Sequence, residues 1–241
     1  MSRIGVQSAN LAIVKLVVKA TMLGHLDSRG ADVEATAEGE VIGAGDPAAM
    51  RDRILSAATK LFYRQGYGGT SMSMIATELD ISAPALYWHF DSKQELCFVA
   101  IRSELERFVD GLLTPSAKGT PTVQLSAFVN AYVILKLRQS ETLKTPGAAG
   151  VYSQLREALN PSQQASLDEL QRQVVKQLRG ILKRGVKAGE FSIDNVTVTT
   201  FAIISMCEYV FNWFDPGGPL SDAEVGEEYQ SLVLTMVGAG G

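Results

Sequence analysis

The sequence predicts an all-α protein with an N-terminal helix-turn-helix three-helix domain and a larger helical C-terminal domain. Apolar residues recur at helical spacing from Met50 almost to the end of the chain, and Pro, Ser, Asn and Gly punctuate those runs at cap positions. No segment keeps the two-residue alternation of a half-buried strand. Hydrophobic residues make up 46% and charged residues 20% of the 241 positions, too apolar for a disordered chain and too mixed for a membrane bundle. Cys97 and Cys207 match no metal-ligand spacing, and His25 and His89 are the two histidines, so neither a metal site nor a cofactor is expected and a reducing cytoplasm suits the chain. GxSxG, HExxH, P-loop and GxGxxG motifs are absent, which argues against an enzyme. A net charge of −4 argues against bulk polyanion binding but permits a small nucleic-acid surface.

Taken in order, residues 1–45 hold an apolar run at 11–23, broken by Lys15 and Lys19, and then a Gly-, Ala- and acid-rich stretch without period. They read as a disordered or weakly structured extension. A membrane-surface or partner helix is the functional alternative, and a start codon assigned too far upstream is the plain one. Asp46 and Pro47 open a first helix with Ile54, Ala58, Leu61 and Phe62 inward, and Gly66 ends it. Thr70 or Ser71 caps a short helix carrying Met72, Ile75, Ala76 and Leu79. After a turn at Asp80 and Ile81, Ser82 caps a second short helix over residues 83–90. Ser92 with Glu95 makes a capping box for a fourth helix.

Farther on, helices are expected from Thr120-Pro121 to about Gln139 and over residues 151–158, with residues 147–150 as the break. Asn160, Pro161 and Gln163 open a long amphipathic helix with the stripe Leu167, Leu170, Val174, Leu178, Ile181 and Val186, closed by Gly189. Its opposite side, Arg172, Lys176, Arg179, Lys183, Arg184 and Lys187, reads as a solvated face. Residues 196–214, with Glu208 as their one formal charge before Asp215, are expected to form a single helix buried on nearly every side. Ser221 and Glu224 box the start of a last helix to about Val237.

Two short capped helices joined by a tight turn make a helix-turn-helix. Its second helix, roughly eight residues or ~12 Å long, suits a major groove about 12 Å wide. Thr70, Ser71 and Ser82 offer hydroxyls and N–H groups, Pro84 and Ala85 small apolar surfaces, Tyr87 and His89 donors, and Lys93 a cation. Leu86 and Phe90 read as core, and Trp88 as packed against the first helix or partly exposed.

Residues 51–96 resemble the DNA-binding region of the tetracycline-repressor (TetR) family through the patterns ILxAAxxLFxxxGYxxTS, IAxxLxIS and LYxHFxSKxxL. The resemblance implies a homodimeric transcriptional regulator, usually a repressor, released from a near-palindromic operator when a small ligand enters the C-terminal domain. It places Thr70, Ser71, Ser82, Pro84, Ala85, Tyr87, His89 and Lys93 at positions that face DNA. Asp80 stands where the family commonly has Gly. Residues 51–93 carry five cations (Arg51, Arg53, Lys60, Arg64, Lys93) against four anions (Asp52, Glu78, Asp80, Asp91), so binding has to draw on doubled dimer contacts and backbone N–H groups.

The implied division is 46–93 for DNA and 94–241 for effector and dimer. GVKAGEF followed by an apolar helix and NWFDPGGPLS resembles regulators of fatty-acid or steroid degradation that answer to acyl-CoA thioesters. Phe128, Tyr132, Tyr152, Met206, Tyr209 and Trp213 are candidates to line an apolar cavity for an apolar or amphipathic effector, with Arg138 or Arg156 as partners for a carboxylate or phosphate. The last two helices are the expected dimer face. The rival readings are an enzyme using Glu208 as a base, which lacks any partner group, and a helical protein-interaction adaptor that has lost DNA binding.

Overall fold

The computed structural model describes residues 47–143 and 148–239, and every regular element among them is helical. The expected extension at 1–45, the Asp46 cap and Gly147 of the expected break lie outside the described residues.

Helix α1 (Pro47–Gly69) breaks at Gly66, which takes φ 72°, ψ 171°. Ser71 caps α2 (Met72–Glu78), its hydroxyl accepting from the Met74 N–H at 3.1 Å. Asp80 makes the turn at φ 55°, a left-handed backbone that Asp tolerates. Ser82 then caps α3 (Ala83–Tyr87) through the Ala85 N–H. This helix is shorter than the expected 83–90, although the N–H groups of Trp88 and Phe90 still reach the carbonyls of Pro84 and Leu86. Ser92 caps α4 (Lys93–Leu113), but Glu95 returns its bond to the Asp91 N–H, one residue before the expected partner.

Helix α5 (Pro121–Leu143) runs a turn beyond the expected Gln139. Its first turn is held from afar by Glu190, whose carboxylate accepts from the Thr122 N–H and hydroxyl at 3.0 and 2.7 Å. After α6 (Ala148–Glu157), α7 (Pro161–Ala188) begins with the complete Asn160–Gln163 capping box and ends at Gly189 with φ 74°. Val186 leaves the expected inner stripe and is exposed, while Leu182 and Gly185 face inward. The motif GVKAGEF supplies the reason. Gly189 turns the chain back, and the Phe191 ring lies so close to Gly185 that it leaves no room for a Cβ there.

The expected 196–214 helix is α8 (Val196–Glu208) followed by one tight turn over Val210–Asn212. Nor is α8 covered all round: Ile203 and Cys207 are buried, whereas Val198 is 64% exposed and Ala202 is open. It packs on α5 and α7 along one side. Helix α9 (Asp222–Met236) starts with the Ser221–Glu224 box and lies along α5.

Two cores result. Ile54, Ala58, Phe62, Ile75, Leu86, Phe90 and Leu96 form one, and it is closed by Leu155, Leu159 and Leu167 from α6, its exit and α7. The other gathers Leu112, Phe128, Val133, Leu178, Ile181, Ile203, Val225 and Val233. No helix among the described residues is long and apolar enough to cross a membrane.

Candidate nucleic-acid interface

The inward side of α3 consists of Leu86, and of Phe90 just beyond it, four residues on; both are buried. Everything a half-turn away must face outward. Tyr87 is 50% and Trp88 88% exposed, and together with Ala83 and Pro84 they line a shallow open pocket. Ser71 and Ser82 are exposed, while Ala85 and His89 are half-buried. Ser71, Ser82, Pro84 and Tyr87 therefore present accessible surface, with Ala85 and His89 at its margin. Trp88 was not among the expected contacts. Its position, two residues from both Leu86 and Phe90, is the signal that could have placed it on the outer face.

Two expected contacts need correction. Thr70 is 1% exposed, and its hydroxyl donates to the carbonyls of Gly66 at 2.9 Å and Leu61 at 3.2 Å. Thr70 thus reaches back past the Gly66 break to carbonyls of α1 from inside. Lys93 is likewise committed: its ammonium donates to the carbonyls of Tyr67 and Thr70, both at 2.9 Å, and lies 4.2 Å from the Tyr67 ring centroid. It ties the start of α4 to the α1–α2 junction. Arg51 does the same beyond the end of α3, donating to the His89 carbonyl at 3.0 Å from 4.3 Å above the Phe90 ring. The exposed surface is thus mounted on a bracket of side chain to backbone bonds.

The residues expected to line an effector cavity do not converge on one place. Phe128 and Tyr132 are buried in the C-terminal core, with Met206 packed against it. Tyr132 donates to Glu208 at 2.7 Å, and Lys136 donates to the other oxygen of that carboxylate at 2.7 Å. The supposedly lone Glu208 is therefore paired. Tyr209 is half-buried, and Trp213, 54% exposed, stacks on Tyr229 and donates to its hydroxyl at 3.2 Å. Tyr152 packs against the other core and accepts from Gln171 at 3.2 Å. The two arginines expected to meet an anion are engaged as well, Arg156 with Asp168 and the exposed Arg138 with Asp222 at 3.7 Å.

The model of bacterial regulatory proteins of the tetR family matches residues 54–100, and that of the tetracyclin repressor-like C-terminal domain matches residues 118–237. The TetR family regulator PfmR from Thermus thermophilus is 30% identical with a TM-score of 0.66, over 76% of this chain and 98% of that one. The chain belongs to the TetR family. It is therefore a DNA-binding transcriptional regulator and not an enzyme. The HTH-type transcriptional repressor KstR2 of Mycolicibacterium smegmatis is 26% identical over 197 residues, 78% of this chain and 90% of the relative. The fold is also that of AibR, solved in complex with isovaleryl coenzyme A and operator DNA, at 23% identity and a TM-score of 0.64 over 78% of this chain and 97% of that one.

Proposed function

We propose that this TetR-family protein is a cytoplasmic homodimeric repressor that reads a near-palindromic operator with α3 and releases it when a small effector enters the C-terminal domain. The observation that carries the reading is the exposure of Tyr87 and Trp88 on a short helix whose other side is fully buried. An aromatic pair held in water by a rigid bracket is placed for a partner. Ser71, Ser82, Pro84, Ala85 and His89 complete the surface, and the backbone N–H groups at the starts of α2 and α3 add phosphate contacts that need no net positive charge.

The dimer reading rests on α8 and α9, where Val198, Leu232 and Met236 are 64%, 56% and 45% exposed. A second copy related by a two-fold axis would cover them and set two α3 helices about one duplex turn apart. For the effector, the similarity to KstR2, one form of which is described as a ketosteroid regulator, and to AibR with its isovaleryl coenzyme A favours an acyl-CoA or steroid-derived ligand. The apolar surroundings of Phe128, Tyr132 and Met206 suit such a skeleton.

A gel-shift titration on the DNA upstream of the protein's own gene tests the reading. Changing Tyr87 and His89 together to Ala is expected to weaken operator binding by several kcal/mol per dimer, given about 1–3 kcal/mol per lost specific contact. Unchanged affinity would remove both residues from the mechanism, and absence of salt-dependent binding would favour the adaptor reading.

A further inference from the structure

The side chains that read a base pair bidentately in the major groove are Arg or Lys for guanine and Asn or Gln for adenine. Residues 71–92, which hold α2, the Asp80 turn and α3, contain none of the four. The nearby cations Arg51 and Lys93 are committed to backbone carbonyls. The Thr77 hydroxyl donates to the Ser73 carbonyl, and the hydroxyl oxygens of Ser71 and Ser82 already accept cap bonds. What α3 offers instead is an apolar hollow. Ala83 and Tyr87 stand one helical turn apart, as do Pro84 and Trp88, so the two pairs lie side by side and line the hollow together. None of the four side chains carries a charge that would draw a phosphate. Leu86 and Phe90, both buried, anchor this segment from behind.

The major groove displays one apolar group, the 5-methyl of thymine. We infer that the hollow receives that methyl group, with Pro84 and Trp88 as specificity-determining contacts, so that an operator half-site is marked by a thymine and not by a purine held bidentately. This rests on the operator reading above. Seating the methyl takes apolar surface out of water on both partners, including part of Trp88, which is 88% exposed in the free protein. Cytosine lacks the methyl and leaves the hollow open. Contacts to phosphate set the register of the protein on the duplex, and the methyl supplies the sequence information.

Duplexes enriched by the full chain from a random library supply the operator, and gel shifts then compare each thymine with deoxyuridine, which lacks only the methyl. One position per half-site is expected to lose about four-fold in affinity, the weight of one buried methyl group, and about fifteen-fold when the symmetry-related thymine is replaced as well. At that position 5-methylcytosine should bind more tightly than cytosine by a similar factor, because it restores the methyl on a different base pair. In Trp88→Ala, with folding checked by thermal unfolding, the preference for thymine over deoxyuridine should fall toward one. Pro84→Ala, which trims the opposite wall, should lower it as well. A complex indifferent to every deoxyuridine, or a penalty that both variants leave intact, would overturn the inference and leave the operator reading standing. Failure to enrich any duplex would overturn both.

Discussion

Around the DNA-binding core, the hydroxyl of Thr70, the ammonium of Lys93, the guanidinium of Arg51 and the amide of Gln94 all donate to backbone carbonyls. Around the C-terminal core, Tyr132, Lys136 and Glu208 pair side chain to side chain, and one oxygen of Glu104 is left unmatched. The first arrangement fixes a backbone, because each bond pins a main-chain atom. The second joins α5 to α8 through their side chains.

The largest effect is expected at Leu155. Leu155 belongs to α6 yet is fully buried in the DNA-binding core. Leu155→Ala should cost about 2–5 kcal/mol of stability by leaving a cavity, and should weaken operator binding with it. A thermal melt and a gel shift check both. Loss of stability without loss of DNA binding would mean that the reading unit stands without α6.

Thr70→Val comes next, with an expected loss of about 1–3 kcal/mol, because carbonyls at the α1 break lose their buried donor. Denaturant unfolding measures it. A neutral result would show that the bracket does not depend on this hydroxyl.

The smallest effect is a pH dependence. The native carboxyl of Glu104 is raised, so the folded state holds its proton to higher pH than the unfolded chain does. Its contribution is then most favourable in acid and is lost as pH rises from the ordinary carboxylate range through the raised native value. Relative to E104Q, wild type should gain stability on acidification from neutral pH. Parallel melting curves against pH would contradict this.

Much of the fold was legible because its determinants are local. Ser71, Ser82, Asn160 and Ser221 each cap a helix through an N–H three residues away, a reach that a sequence window contains. The outer face of α3 was half legible: Tyr87 follows from the spacing of Leu86 and Phe90, and the same spacing holds for Trp88. What escaped is nonlocal. Nothing near Thr70 announces that its hydroxyl turns back across the Gly66 break, and Lys93 finds its carbonyls more than twenty residues upstream. Glu208 looked solitary because Tyr132 and Lys136 lie more than seventy residues away. GVKAGEF entered as a mark of resemblance, and its glycines and Phe191 turn out to close α7 by close packing.

The most direct test uses the fluorescence of Trp88. Replacing Trp213 by Phe leaves Trp88 as the only tryptophan, and this variant is titrated with duplex DNA from upstream of its own gene. Trp88 emission is expected to change in step with complex formation and to return as salt dissociates the complex. A complex that forms while the emission stays constant would contradict the assignment of α3 as the DNA-reading helix.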